Sequence, residues 1–209
     1  MAAAPPRFVE LTTSMAIDVD GAPNAYGPPG KPALDFELNA HEGAKASGKI
    51  VGYLTKADGK TPVVQGPQDP FPGFFISTTG FEDKTNPNKF DPRKYVDASK
   101  INYVVLGRFA IQNGVKLGDF VAVHSVKKGT SVFGIVGDSG NSTGAEGSLA
   151  LLQALGYPVR DGKAGGVDKK EIVIRYFPGS NRDHHFFKSQ TQIDREAAAL
   201  SLSKDFGAR

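Results

Sequence analysis

Short runs in which hydrophobic residues occupy successive positions constrain this fold most strongly. The clearest are YVVL (103–106) and FVAV (120–123), each beginning directly after Asn or Asp. An alternating pattern would leave one face of a strand in water, whereas a continuous apolar run predicts burial on both faces. The pattern therefore favours a closed barrel, or a sheet covered on both sides, over an open and half-exposed sheet.

Several further segments are short, rich in β-branched or aromatic residues and bounded by turn-forming residues, which predicts strands. The predicted strands lie at 9–21 (one or two strands), 50–54, 73–77, 101–106, 120–125, 131–136 and 171–177. Helices are predicted from Ala145 to the residue before Gly156 and over 190–204, with a shorter piece over 37–47. Proline-rich 55–72 and polar 82–94 are predicted loops.

These elements predict a mainly β fold in a single domain over 1–209. We expect a mixed β-barrel with two or three peripheral helices, and the double-psi arrangement is a candidate topology. The core would span about 9–180 and the C-terminal helix about 190–204. No internal repeat and no clear domain boundary is visible.

Composition excludes several classes of function. The chain lacks cysteine, so disulfides, thiolate metal sites and a cysteine nucleophile are excluded. The net charge of +3 comes from scattered basic residues, which argues against a nucleic-acid partner. No apolar run approaches the roughly 18 residues of a membrane span, so no membrane partner is expected. The start, MAAAPPRFVE, lacks the features of a signal peptide, as in a cytoplasmic protein or an exported one whose signal has been removed.

The segment IVGDSGNSTGAEGSL (135–149) carries the first candidate for chemistry, a pair of carboxylates. Asp138 ends an apolar run at a Gly-rich turn, and Asp is also a common turn residue. Thr143 and Glu146 match a helix capping box, a purely structural role. However, Glu146 lies three residues before Leu149, on the core-facing side of the predicted helix. Burial beside a second carboxylate would raise its pKa, as a glycosidase acid requires.

The second candidate is the alternating pair Asp18 and Asp20. Residues two apart share one face of a strand, so both could line a cleft for a cationic or polyhydroxylated ligand, or simply end a solvent-facing strand. A calcium site is weaker, because the remainder of an EF-type loop is missing. Adjacent His184 and His185 would point to opposite faces of a strand, which argues against a two-histidine metal site. Nucleophile-elbow and phosphate-loop motifs are absent from the sequence.

Four segments together resemble the chitosanases of glycoside hydrolase family 75. They are IDVDGAPNAYGP (17–28), PGFFISTTGFED (72–83), YVDASKINYVVLG (95–107) and GDFVAVHSVKKGTSVFGIVGDSGNSTGAEGSLALLQALG (118–156), with a further echo in RYFPGS (175–180). The similarity covers about residues 17–156 in matched order. The chain differs from the fungal members in lacking cysteine, in a shorter interval between the two carboxylates, and in reading GAEGS where they have GEAS.

The resemblance implies endo-hydrolysis of β-1,4-linked glucosamine polymers with inversion at the anomeric carbon. The essential Asp and Glu of the family match Asp138 and Glu146. For an inverting reaction the two carboxyl groups should lie about 6.5–9.5 Å apart. We expect Glu146 to be the general acid, because its place over an apolar stripe should raise its pKa more, and Asp138 to be the base.

The resemblance also implies a polysaccharide partner, no metal or other cofactor, a secreted protein whose signal is not part of this sequence, and a monomer. Candidate substrate-binding residues are Asp18, Asp20, Tyr26, Asp35 and Glu37. The aromatic side chains of Tyr26, Phe36, Phe74 and Phe75 are candidates for sugar stacking, although core packing is the commoner role of Phe. Two alternatives stay open: a non-catalytic saccharide-binding or cell-wall-associated barrel, and a hydrolase of the same fold acting on another amino-sugar polymer such as peptidoglycan.

Overall fold

Six strands close into a mixed β-barrel in the computed structural model, which describes residues 6–207. The strands are β1 (Val9–Asp18), β2 (Tyr103–Leu106), β3 (Phe120–Ser125), β4 (Thr130–Ser139), β5 (Glu146–Ser148) and β6 (Val167–Tyr176). The helices are α1 (Arg108–Gln112), α2 (Leu149–Ala154) and α3 (Gln190–Ala199). The predicted mainly β barrel with peripheral helices is confirmed. The ends of the predicted domain, residues 1–5 and 208–209, lie outside the described residues.

Strand order around the barrel is β1-β5-β2-β4-β3-β6. The pairs β1–β5 and β2–β4 are parallel, and the pairs β2–β5, β3–β4, β3–β6 and β1–β6 are antiparallel. The continuous apolar runs are buried on both faces, as predicted, and all six residues of β3 are buried. Val104, Val121 and Val136 belong to a cluster built mainly of strand residues that fills the barrel. Their neighbours Tyr103 and Ile135 pack outward against the covering segments.

The long connection between β1 and β2, residues 19–102, forms much of that outer layer. It contains three short 3₁₀ helices: Glu37–Ala40 and Glu42–Ala44, where a helical piece was predicted, and Pro92–Lys94, in a predicted loop. The predicted strands at 50–54 and 73–77 are wrong. These segments make only isolated bridges, such as Tyr53 with Ser77, and prolines in the segment between them cannot donate to a continuous ladder.

The predicted helix from Ala145 also needs correction, because its first residues form strand β5. Glu146 pairs with Ala16 of β1, and α2 begins only at Leu149. Its N-cap is Ser148, whose hydroxyl accepts a hydrogen bond from the Leu151 N–H at 3.1 Å. The capping-box interpretation of Glu146 is therefore wrong, since tertiary pairing with β1 outweighs a local motif. Helix α1 was not predicted, because five residues are too few to show helical periodicity.

The C-terminal helix ends at Ala199, five residues earlier than predicted, and the chain continues as an extended segment held by Arg175. The guanidinium group of Arg175 donates to the carbonyl oxygens of Ser203 and Asp205, at 3.1 and 2.8 Å, and pairs with Glu10 at 2.8 Å. It also packs between the rings of Phe8 and Phe206. Residues after α3 are thereby bound to the barrel. Within residues 6–207, no helix has the length and apolar character needed to cross a bilayer.

Candidate active site

A β-bulge near the end of β4 determines where Asp138 points. Val104 of β2 pairs with Val136, but the next residue, Val105, pairs with Asp138, so Gly137 is an additional residue on β4. Without it, the alternation of side chains along the strand would direct Asp138 to the other face. A Cβ at Gly137 would lie 2.6 Å from the Tyr103 side chain, so the bulge position requires glycine.

Glu146 reaches the same face from the opposite side of β2. Gly147 of β5 pairs antiparallel with Val104, which places Glu146 beside Val105. Asp138 and Glu146 therefore flank Val105 in one row across three strands. With strands about 4.8 Å apart, the two Cα atoms are separated by about 10 Å, and side chains in one row point to the same face.

Both carboxylates open into a cleft with a volume of about 1240 Å³. Its lining has an unusual charge composition for a protein with a net charge of +3. No lysine or arginine is found among its lining residues in the described part of the chain. Its carboxylate residues are Asp18, Asp20, Asp35, Glu42, Asp138, Glu146 and Asp168.

Three of these carboxylates form a compact group at the base of the cleft. Oxygen atoms of Asp18, Asp20 and Asp138 lie within 4.8 Å of one another. The Asp20 N–H donates to Asp18 Oδ1 at 2.8 Å, and the Tyr26 hydroxyl donates to Asp20 Oδ1 at 2.7 Å. The group is small enough to hold a divalent cation, but carboxylates in proximity do not by themselves indicate a metal.

Burial perturbs the acidity of the candidate catalytic pair. Asp138 is only 7% exposed, and burial raises its pKa to about 7. The charge of Glu146 adds to this rise, whereas hydrogen bonds from the N–H groups of Gly80 and Ser139 oppose it. Glu146 is half-buried; burial raises its pKa as well, and a hydrogen bond with Asn141 works in the other direction. The expectation that Glu146 is the more strongly perturbed of the two is wrong, because Asp138 is the more deeply buried.

The other two acids of the compact group are also held towards their protonated forms. Burial is the main cause of the raised pKa of Asp18, and the charge of Asp138 is the next. For Asp20 burial again comes first, followed by the charges of Asp18 and Asp138. The hydroxyl of Tyr103 donates to the Asp20 carbonyl oxygen at 3.0 Å, which ties β2 to this group.

The structure brings most of the predicted substrate-binding residues to the cleft. Asp18, Asp20, Tyr26 and Asp35 line it, but Glu37 does not. Glu37 accepts a hydrogen bond from the Tyr53 hydroxyl at 2.7 Å outside the cleft lining. Glu42, in the next 3₁₀ helix, lines the cleft and was missed, because the register of a short helical turn is not visible in the sequence.

The four aromatic side chains predicted to stack on sugars do not all face the cleft. The rings of Tyr26, Phe74 and Phe75 are buried, and the Tyr26 ring packs against Tyr53. Phe75 thus has the core-packing role that was the alternative interpretation for Phe, while Tyr26 both joins the core and lines the cleft. Phe36 is 57% exposed and carries the ammonium group of Lys163 over its ring.

The backbone of the β1–β2 connection makes a contact with Asp138 that was not predicted from the sequence. The Gly80 N–H donates to Asp138 Oδ1 at 2.6 Å, and the Phe81 N–H donates to the Gly137 carbonyl oxygen at 3.0 Å. A Cβ on Gly80 would lie 2.8 Å from Ser139 Oγ. The glycine after Thr78 and Thr79 was the available signal, since glycine often marks close backbone approach.

The histidines contribute no paired site. His184 adopts a left-handed backbone conformation in a turn, not in a strand. Among the described residues the only histidine lining the cleft is His41. In comparisons with models of known protein families and with curated protein sequences, nothing matched this chain.

Proposed function

We propose that the chain is an endo-acting glycoside hydrolase that cleaves β-1,4 linkages in chitosan with inversion. The observation that carries this proposal is the placement of Asp138 and Glu146 on either side of Val105, facing one acidic cleft. A Cα separation of about 10 Å is compatible with the carboxyl separation of about 6.5–9.5 Å that single displacement requires.

In this mechanism Asp138 is the general acid and Glu146 the general base. The protonated Asp138 carboxyl transfers its proton to the glycosidic oxygen as the bond from the anomeric carbon to that oxygen breaks. A water molecule attacks the opposite face of the anomeric carbon and gives a proton to the Glu146 carboxylate. This assignment reverses the one expected from the sequence, since a pKa of about 7 suits Asp138 to carry a proton.

The charge of the cleft supports a cationic polysaccharide as substrate. Glucosamine units carry ammonium groups at acidic pH, and the exposed Glu42 and Asp168 belong to a cleft lining without a lysine or arginine among its described residues. A local acidic field attracts a polycation even when the whole protein is mildly basic. The anionic groups of peptidoglycan peptides would be repelled by the same field, which favours chitosan over that alternative.

The test is to incubate the wild-type protein, Asp138→Asn and Glu146→Gln with chitosan, chitin and peptidoglycan and to measure new reducing ends. We expect the wild type to cleave chitosan, and each variant to lose at least about 100-fold in rate, the range associated with acid–base residues. Asp183→Asn, at an exposed carboxylate outside the cleft, is the matched control.

Product stereochemistry provides the second measurement. Proton NMR of the first products should detect the α-anomer, since inversion of a β-linkage yields it. Undiminished cleavage by both variants would eliminate the proposed pair. Chitosan binding by a wild type that cleaves none of the three polymers would favour the non-catalytic alternative.

A further inference from the structure

We infer that Asp18 is a positioning residue whose carboxyl group is coupled to that of Asp138, so that the pair retains one proton before substrate binds. The inference builds on the proposed hydrolase function, because it assigns a role to a third carboxyl group beside the catalytic pair. Asp18 is the last residue of β1, and its carboxyl oxygens belong to the compact group that includes Asp138.

Proximity of the carboxyl groups is the first argument. Oxygen atoms of Asp18, Asp20 and Asp138 lie within 4.8 Å of one another, and the site is at least half-buried. Two carboxylates at this separation cannot both ionise without a large electrostatic cost, so they titrate as a coupled pair that retains one proton.

Within residues 6–207, no basic side chain faces the group to neutralise it. The titratable side chains that face it are Asp20 and Tyr26 from the β1–β2 connection, Tyr103 from β2 and Glu146 from β5. All of these are acidic or neutral. The described lining of the cleft also lacks lysine and arginine. None of these residues can therefore reduce the negative charge of the group, whereas binding a proton can.

Backbone hydrogen bonds indicate which oxygen atoms take part. Asp18 Oδ1 accepts from the Asp20 N–H at 2.8 Å, and Asp138 Oδ1 accepts from the Gly80 N–H at 2.6 Å. An oxygen that accepts from an N–H group is poorly placed to carry a proton itself. Oδ1 of each carboxyl is therefore less suited than Oδ2 to carry the proton.

Asp20 is less suited to this role. Its Oδ1 accepts from the Tyr26 hydroxyl at 2.7 Å, and the Tyr103 hydroxyl holds its carbonyl oxygen. These two bonds fix Asp20 as the residue that orients the turn, and the Asp20 N–H in turn orients Asp18. When Asp138 passes its proton to the leaving oxygen, both carboxyls become charged, and the group regains a proton from solvent before the next cycle.

The experiment is a titration of the Asp138 side-chain carboxyl by ¹³C NMR in the wild type and in Asp18→Asn, with EDTA present throughout. We expect the Asp138 titration to move at least one pH unit lower in Asp18→Asn, and the alkaline limb of the kcat/KM profile on chitosan to move with it. Asp183→Asn should change neither. An Asp138 titration that does not move would overturn the inference, whatever the activity.

Asn at position 18 retains an oxygen that can accept from the Asp20 N–H, so the variant is expected to fold. Should it not fold, the reciprocal titration of Asp18 in Asp138→Asn tests the same coupling, and an Asp18 titration unchanged from the wild type would overturn it. The NMR readout separates the two proposals. A shifted titration in a protein that hydrolyses no polymer would support proton sharing and refute the hydrolase function.

Discussion

Asp138 and Glu146 lie on the two strands that flank β2, in register with the same β2 residue. Their separation is therefore set by the hydrogen-bonded spacing of the barrel and not by the loop between them. That loop, 140–145, is rich in small residues. Under the proposed function, its length can therefore differ from the interval in the fungal chitosanases without changing the strand positions of Asp138 and Glu146.

Stability should fall as pH rises from about 4 to about 7. In this window the folded protein binds protons at Asp138 that the unfolded chain has released, because the folded pKa is about 7 and the unfolded value is near 4. The change from this one residue is on the order of 4 kcal/mol. Urea unfolding at pH 3 and pH 8 measures it, and Asp138→Asn should flatten the dependence. If the stability of Asp138→Asn depends on pH as steeply as that of the wild type, the raised pKa does not belong to Asp138.

Gly80→Ala should lower activity while leaving the fold intact. The added Cβ would lie 2.8 Å from Ser139 Oγ and 3.3 Å from Asp138 Oδ1, so the loop must move and the hydrogen bond to Asp138 is lengthened. We expect kcat to fall by about 10-fold, since small displacements of a catalytic group are costly. The control is Gly66→Ala, where the nearest atom is at 3.7 Å. Equal rates for both variants would refute a role for the Gly80 contact.

The double variant Glu42→Gln/Asp168→Asn should bind chitosan more weakly without a change in kcat. Both residues are exposed on the cleft lining, so they act through the electrostatic field. We expect KM to rise about 3- to 10-fold at low ionic strength and the difference to vanish near 1 M salt. Cleavage of a neutral, fully acetylated oligosaccharide serves as the control. A KM increase that persists at high salt would point to a structural effect instead.

Arg175→Lys should release the C-terminal segment from the barrel. Lysine cannot reproduce the planar arrangement that bonds Glu10 and two carbonyl oxygens while packing between Phe8 and Phe206. We expect the free energy of unfolding to fall by about 2–3 kcal/mol, with faster amide hydrogen exchange after Ala199. Arg195→Lys, at an exposed arginine of α3, is the control. Unchanged exchange in Arg175→Lys would contradict this anchoring role.

Tyr176→Phe should leave stability unchanged or increase it. The Tyr176 side chain is fully buried, and among the described residues its hydroxyl has no hydrogen-bond partner. Removing an unsatisfied buried hydroxyl relieves a desolvation cost, typically about 1–3 kcal/mol. Thermal unfolding compares it with Tyr103→Phe, which removes a bond to the Asp20 carbonyl oxygen and should destabilise. A marked loss of stability in Tyr176→Phe would imply a partner for this hydroxyl.

The sequence was sufficient to predict the barrel strands whose apolar runs are buried on both faces, such as β3 and β4. It was insufficient for segments 50–54 and 73–77, which have the composition of strands but find only single bridging partners. Glu146 was predicted as a candidate catalytic residue from the residues next to it in the sequence. Its strand pairing, however, is with Ala16, which lies 130 positions earlier. The Gly80 contact with Asp138 spans 58 positions. A glycine at position 80 indicates a close backbone approach, but no local pattern identifies the distant partner in either contact.

The connection between β1 and β2 has a consequence for how such a protein can change over evolutionary time. Barrel strands hold Asp138 and Glu146, whereas the inserted residues 19–102 supply other parts of the cleft wall, including Asp35 and Glu42. Under the proposed function, the acid and the base are therefore encoded in barrel strands, whereas part of the surface that meets the polymer is encoded in the β1–β2 connection. A lineage could change that wall, and with it the preferred sugar, provided that Gly80 keeps its contact with Asp138.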